Sequence, residues 1–423
     1  MNIQPLILSF SDIEGGAARA TFRLHQGLQT IGIKSQMLVQ KKLSSDPAVA
    51  APNTNFIRSL AGTRISLDAM PLKSYPHRKQ TTFSPQWLPD TVTRKVAEIA
   101  PNIINLHWIN AGYICIETIG KLKQPLVWTL HDMWAFTGGC HYSQECDRYT
   151  ESCGTCPQLD SSKNSDLSSW IWQRKTKAWK NLDLTIVAPS SWMSKCANSS
   201  SLFRNLPIEV IPNGIDTKIY KPINQNLARE VLQLPLNKQL ILFGSLNVTS
   251  DKRKGFHLLQ EALQSLSLRK SPDNLELVII GASQAEKSLD LCFKTHYLGT
   301  LHDDISLAMV YSAADVFVLP STEDNLPNTI MESMACGTPC VAFNIGGIPD
   351  MIGHQQNGYL VPAYDTQDLA QGIVWLLEDE ERRHKLSYQG LEKVEREYAL
   401  EIQAGRYASL FCNILSSSKQ RRI

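Results

Sequence analysis

Asp324 and Glu332 stand eight positions apart in Ser321-Thr-Glu-Asp-Asn-Leu-Pro-Asn-Thr-Ile-Met-Glu-Ser-Met-Ala-Cys-Gly-Thr-Pro-Cys340. The apolar pattern between them predicts a short helix, stopped by Gly337-Thr338-Pro339. Eight helical residues rise about 12 Å, close to the reach from the hexose of a nucleotide sugar, across its pyrophosphate, to its ribose. A step of four drifts about 40° around a helix and a step of eight about 80°, so Asp324, Asn328 and Glu332 can share a face. Carboxylates accept hydrogen bonds from sugar hydroxyls, and the N–H groups at a helix start suit a pyrophosphate. The plainer reading is an amphipathic helix with an acidic start and a glycine stop. This segment alone weighs the two equally.

Arg253 and Lys254 lie in Asp251-Lys-Arg-Lys-Gly255, just before another helical pattern. Cations at a helix start oppose the macrodipole, and a bound anion resolves the conflict. Taken alone, a solvated basic loop explains them better. His131 ends an apolar run beside Asp132 and Trp134, where an α/β sheet presents side chains to ligand. Gly15 and Gly16 follow the first apolar run, and small residues there let a backbone N–H approach a phosphate or an anionic acceptor. A tight strand-to-helix turn explains them equally well. The full G-x-G-x-x-G pattern is absent, which disfavours a dinucleotide. Arg19 holds an anionic acceptor or faces solvent. Gly346 and Gly347 read as a turn flanking the donor pocket rather than as direct ligands.

Cys140, Cys146, Cys153 and Cys156 fall at C-x5-C-x6-C-x2-C spacing. Thiolates so spaced can close a tetrahedral zinc site and staple a loop without a core of its own. His141 is a spare ligand. Structural zinc and metal-free thiols or disulfides remain open alternatives, with an iron–sulfur cluster disfavoured.

The elements that must position these groups are β-rich apolar runs alternating with helical patterns, which implies parallel sheets covered on both faces. Pro5–Ser11, 102–108, 126–131, 184–189 and 208–211 form one strand series. A second runs through 239–244, 275–281, 296–298, 315–319 and 339–343. Two series predict two doubly wound domains with ligand at the strand C-termini. The boundaries expected are 1–200 with a Cys-rich insertion at 133–160, a linker at 201–212, 213–398, and 399–423 as a last helix. Leu369, Ile373, Leu376 and Leu377 form one helical stripe. The polar, basic tail from Ser416 is expected to be disordered.

A chain of 423 residues is too long for one ordinary core. A net charge of +2 gives no push toward nucleic acid. No apolar run approaches the ~18 residues of a membrane span. The first residues lack the features of a signal peptide. A cytoplasmic protein with reduced or metal-bound cysteines is expected. Trp170-Ile-Trp-Gln-Arg-Lys-Thr-Lys-Ala-Trp-Lys180 mixes aromatics with basic residues, and Trp172 and Trp179 share a helical face. Such a helix can rest on anionic lipid at the inner face of a plasma membrane. A packed helix with tryptophans in the core is the preferred alternative.

The motifs together resemble the retaining glycosyltransferases of family 4, with the GT-B fold, and within them the colanic-acid and exopolysaccharide type. The resemblance covers nearly the whole chain. It rests on Glu14-Gly-Gly-Ala-Ala-Arg-Ala20, Trp128-Thr-Leu-His-Asp-Met-Trp134 and Ile211-Pro-Asn-Gly-Ile-Asp216. Arg253-Lys-Gly-Phe256, the 321–340 segment and Asn344-Ile-Gly-Gly-Ile-Pro-Asp350 complete it.

The resemblance implies two Rossmann-like domains facing a central cleft, with acceptor on the first, nucleotide-diphosphate sugar mainly on the second, and a last helix returning to the first. It implies no catalytic metal. Arg253 and Lys254 would hold donor phosphates, with Gly15, Gly16 and Asn328 also on the donor side. Glu332 would hold the ribose, and Asp324 or its neighbour Glu323 the hexose. His131 would meet the reacting centre, and Arg19, Asp132 and Trp134 would line the acceptor side. The acceptor implied is a saccharide or a polyprenyl-linked saccharide. Two positions depart from the family pattern: Asp324 replaces a glutamate, and Ser245 stands where an arginine is usual. These departures keep open a sugar-nucleotide-binding protein without transfer activity. Another GT-B enzyme, such as a nucleotide-sugar epimerase, is a further alternative.

Overall fold

The computed structural model describes residues 3–52, 55–244, 251–268, 274–281 and 291–420, with side chains at 55–61 and 419–420 excepted. Ser245 lies outside the described residues. The chain forms two compact units, Met1–Asn213 with Gln403–Ile423, and Gly214–Ile402.

The first unit holds seven strands: β1 (Pro5–Ser11), β2 (Gln36–Lys41), β3 (Val49–Ala50), β4 (Ile103–Leu106), β5 (Leu126–Thr129), β6 (Leu184–Ala188) and β7 (Ile208–Val210). Their order is β3-β2-β1-β4-β5-β6-β7, and every pairing is parallel. The order reverses between β1 and β4, the kind of switch point at which doubly wound sheets bind ligand. Runs such as Leu6-Ile7-Leu8 are apolar throughout because helices cover both faces, leaving all three at 0% exposure. Residues 201–212, read from sequence as a linker, include β7, which pairs with β6.

The second unit repeats the plan with β8 (Gln239–Gly244), β9 (Leu275–Ile280), β10 (Thr295–Tyr297), β11 (Val316–Leu319), β12 (Cys340–Phe343) and β13 (Gly358–Val361). The order β10-β9-β8-β11-β12-β13 is again all parallel, with its switch point between β8 and β11. Strands β2, β3 and β13 have no counterpart in the sequence reading. They are two to six residues long, and polar residues bracket the apolar centre of β2, so their signal is weak.

The last helix, Leu400–Gln420, buries Ala404, Tyr407, Phe411 and Leu415 against Ile7, Val127 and Val187 of the first unit. It continues through Ser416 to Gln420, so the expected disorder is corrected there. Ser416 bonds back to the Cys412 carbonyl at 2.8 Å and Ser418 to Asp183 at 3.3 Å.

The tryptophan-rich helix, Leu167–Trp179, is held by an Asp166 cap and packs Leu167, Ile171, Lys175 and Trp179 inward. Trp179 stacks edge-on against Trp128 and Trp134, and Trp172 donates to Ser201 at 3.2 Å. Lys175 is fully buried, so the basic face expected for anionic lipid is broken. Trp170 remains exposed, capped by Arg174 at 4.3 Å. Among the described residues no helix is long and apolar enough to cross a membrane.

Candidate active site

In the second unit the loops after β8, β11 and β12 lock together. Asp251 accepts from the Arg253 N–H at 3.0 Å and starts a single 3-10 turn, Lys252–Lys254. Gly255 ends it at φ +70, with a Cβ there falling 1.7 Å from the Pro320 carbonyl oxygen. Only glycine lets this loop lie on the end of β11. The Thr322 N–H then donates to the Arg253 carbonyl at 2.8 Å, and Arg253 Nη1 to the Glu323 carbonyl at 2.9 Å. Gly346 closes the other side. It adopts φ +53 with a Cβ position 1.9 Å from the Asp324 carbonyl oxygen, and the Gly347 N–H donates to that oxygen at 3.1 Å.

This clamp turns Asp324 inward. Its Oδ2 lies 2.9 Å from Lys254 Nζ, 3.7 Å from Arg253 Nη1 and 3.3 Å from Ser321 Oγ. Burial would raise its pKa, but the Lys254 and Arg253 cations outweigh burial and hold the carboxyl below its usual range. Glu323 is half-buried beside it.

The helix that follows begins at Asn328, with Pro327 as its cap, and runs to Ala335. The start falls within the 325–328 expected, but Asp324 lies before it, so the helical face expected to join Asp324 to Asn328 and Glu332 is corrected. Pro327 has no N–H and pushes the residue before it out of the helical region, so Asp324 sits in a loop. Only Asn328 and Glu332 share the helix. Glu332 is 4% exposed and accepts from the Tyr311 hydroxyl at 3.1 Å.

In the first unit, Gly15 caps the helix Gly16–Thr30 at φ +96 without a side-chain cap. A Cβ there would meet nothing within 4 Å, so the demand is conformational alone. Arg19 is half-buried one turn into that helix.

His131 follows β5 and His107 follows β4. His131 Nε2 lies 2.9 Å from His107 Nδ1, and His107 Nε2 lies 2.9 Å from Asn105 Oδ1. Asn105 Nδ2 donates to the Val127 carbonyl and to Thr129 Oγ1, both at 3.1 Å. Thr129 Oγ1 meets Tyr407 Oη of the last helix at 2.8 Å. Burial lowers the His131 pKa to about 4, against a raising effect of Asp132. Burial, then the neighbouring His131, also keeps His107 neutral.

Asp132 and Trp134 serve the scaffold here. Asp132 accepts from Trp108 Nε1 at 2.9 Å, His141 Nδ1 at 2.6 Å and the Trp134 N–H at 2.9 Å. Trp134 is 1% exposed and donates to the Ser84 carbonyl at 2.8 Å. Its expected place on an acceptor surface is corrected to the core, because its ring completes the stack with Trp128 and Trp179.

Cys140, Cys146, Cys153 and Cys156 line one cavity of about 20 Å³, room for a single water-sized occupant. All four are free thiols. Cys153 Sγ accepts from the Gly138 N–H at 3.1 Å, while burial pushes its pKa up to about 12. Among the described residues no group of three or more His, Cys, Asp or Glu is set to hold a metal ion. His141 is not a spare ligand, because Asp132 holds one ring nitrogen and Ser84 Oγ the other at 2.8 Å.

His107, Asn105, Gly255 and Tyr311 were missed from sequence. His107 stands at a strand end, as His131 does, and that was a usable signal. Gly255 followed the basic pair without marking a close approach, and Tyr311 carried no signal in its own helix.

Two family patterns match the chain: Glycosyltransferase Family 4 over residues 14–219, and Glycosyl transferases group 1 over residues 237–379. The D-inositol 3-phosphate glycosyltransferase of Corynebacterium aurimucosum is 29% identical over 223 residues, 49% of this chain and 52% of its own length. The chain spans about half the length of the curated relatives it matches. Sucrose-phosphate synthase from Thermosynechococcus elongatus shares the fold over 98% of this chain and 100% of its own, at TM-score 0.69 and 18% identity. HepE from Anabaena, solved in complex with UDP-glucose, does so over 97% and 100%, at TM-score 0.66 and 16% identity. The family matches replace the epimerase alternative. The chain thus has two parallel, doubly wound units of the GT-B fold, with a Glycosyltransferase Family 4 pattern over the first and a Glycosyl transferases group 1 pattern over the second.

Proposed function

We propose that this chain moves a hexose from a nucleotide-diphosphate sugar to a saccharide or polyprenyl-linked saccharide acceptor. The proposed setting is surface polysaccharide synthesis of the colanic-acid or exopolysaccharide type, at the cytoplasmic side of a membrane. One observation carries the donor assignment. Two cations, Arg253 and Lys254, are fixed beside the switch point of the second sheet, next to Asp324 and followed by the buried carboxylate Glu332. HepE, of the same fold, binds UDP-glucose, which supports a nucleotide-sugar donor.

In the proposed reaction the acceptor hydroxyl attacks the anomeric carbon from the face that the leaving group departs. The anomeric carbon–oxygen bond to the distal phosphate breaks, and the hydroxyl proton passes to a leaving phosphate oxygen. Configuration is retained without a carboxylate nucleophile. Lys254 and Arg253 stabilise the charge on the departing diphosphate, the task a metal ion performs elsewhere. Lys254 has three N–H donors, so Asp324 need not exhaust it. Glu332 would accept from the ribose hydroxyls. Within the first unit, His131, Gly15, Gly16 and Arg19 are the residues proposed to act in the same reaction.

Thermal shift against UDP-, GDP-, ADP- and TDP-sugars, followed by NMR of the product anomer, tests this. One base is expected to raise the melting temperature, with transfer or donor hydrolysis abolished in Glu332→Ala. Retention would appear as an unchanged anomer. Binding without turnover in the wild type would instead support the sugar-nucleotide-binding protein. That reading draws on the ion pair between Asp324 and Lys254, which ties up the shorter carboxylate.

Structural zinc in the cysteine loop is proposed on narrower ground. Four thiols share one cavity, and buried Lys175 beside them meets two carbonyls and the rings of Trp134 and Trp179 but no carboxylate in ion-pair contact among the described residues. Zinc-bound thiolates would balance that cation, although the thiols must first turn toward one another. Elemental analysis of the purified protein is expected to give one zinc per chain. Absence of stoichiometric metal would end the idea.

A further inference from the structure

The line of side chains from His131 through His107 to Asn105 has a fixed direction. The Val127 carbonyl can only accept, so the Asn105 amide nitrogen must face it. Asn105 Oδ1 therefore faces His107, and His107 Nε2 must carry a proton to donate. A neutral His107 then has a bare Nδ1, an acceptor, directed at His131 Nε2. His131 must donate from Nε2, which leaves its lone pair on Nδ1. Thr21 points to the same assignment independently. Its hydroxyl gives its proton to the Ala17 carbonyl at 2.7 Å, so toward His131 Nε2, 3.4 Å away, it can only accept.

We infer that His107, oriented by Asn105, is a positioning residue that fixes His131 as the Nε2–H tautomer. Its role in catalysis rests on the transfer reading given above. Both rings are largely enclosed, with centroids 5.1 Å apart, so neither can turn without breaking the line. Among titratable groups His131 acts on His107, and Asp132, itself held by His141, acts on His131. A His131 so fixed carries a lone pair, and not a proton, at Nδ1. It suits a sugar hydroxyl and has no proton to give a phosphate oxygen from Nδ1. A misoriented or Nδ1-protonated ring would present the opposite character at the same place.

The test uses the full-length chain with 15N-labelled histidine and long-range 1H–15N NMR, His131 being assigned by its absence in His131→Asn. In the wild type, His131 should show a slowly exchanging Nε2 proton and a bare Nδ1. His107→Leu should lose that protection and lower kcat about tenfold, the rate equivalent of one hydrogen bond, with donor KM little changed. His107→Asn can place its Oδ1 where His107 Nδ1 stood, and should restore both the protected proton and most of kcat. A protonated Nδ1 on wild-type His131 would overturn the inference. So would a His107→Leu protein keeping both protection and kcat, or leucine and asparagine variants equally impaired. Should His107→Leu fail to fold, the wild-type tautomer and His107→Asn still decide. If the wild type transfers no sugar, the functional reading falls while the tautomer is still read directly.

Discussion

Lys254→Ala is expected to lower kcat/KM for sugar transfer about a thousandfold. A cation about 4 Å from a phosphate oxygen interacts by roughly 4 kcal/mol at an effective dielectric of 20. Realised in the transition state, that is about three powers of ten in rate. Lys254 also neutralises Asp324, and its loss leaves that buried carboxylate with Arg253 at 3.7 Å and Ser321 at 3.3 Å. Stranding a buried charge costs about 3–5 kcal/mol in unfavourable cases, so the single variant should also melt lower. Lys254→Ala with Asp324→Asn separates the effects, because it removes the stranded charge. Melting should recover in the double variant while transfer stays low. Recovery of transfer in the double variant would show that Lys254 acts only through Asp324.

Gly255→Ala is expected to disable the same site by sterics alone. The new Cβ would stand 1.7 Å from the Pro320 carbonyl oxygen, a backbone atom at the end of β11. Neither partner is a flexible side-chain end, so the basic loop or the strand end must move. The left-handed backbone adds about 1–2 kcal/mol for any residue with a Cβ, and overpacking about 1–3 kcal/mol. Gly32→Ala is the control, with a positive φ of 84° but open space around its Cβ position. Urea melts should show Gly255→Ala losing clearly more stability than Gly32→Ala, together with donor-induced thermal shift. Equal losses would mean that backbone angle, and not the contact with Pro320, sets the cost.

The parallel sheets were legible because buried strands read as unbroken apolar runs. The candidate residues Lys254 and Asp324 could be picked out because each lies in a loop that follows such a run. Legibility failed where a side chain's direction depends on distant partners. Trp134 looks like a surface aromatic after a histidine, and only the stack with Trp128 and Trp179 turns it inward. His141 resembles a metal ligand until Asp132 and Ser84, the latter fifty-seven positions away, take both ring nitrogens. The acidic helix starts within the expected 325–328, but Asp324 does not share its face: Pro327 marks the break, and the eight-residue spacing concealed it.

The last helix places a constraint on biosynthesis. Val127 and Val187 of the first sheet are covered by Tyr407, Phe411 and Leu415, about two hundred residues or more later in the chain. As the polypeptide leaves the ribosome, the first unit emerges early with that apolar face uncovered, and the whole second unit is synthesised before the covering helix arrives. Until then Thr129 also lacks Tyr407, the far end of the hydrogen-bonded line that reaches His131. A nascent chain in this state is an exposed, aggregation-prone intermediate, and a ribosome stalled before Leu400 would release a first unit that lacks its cover.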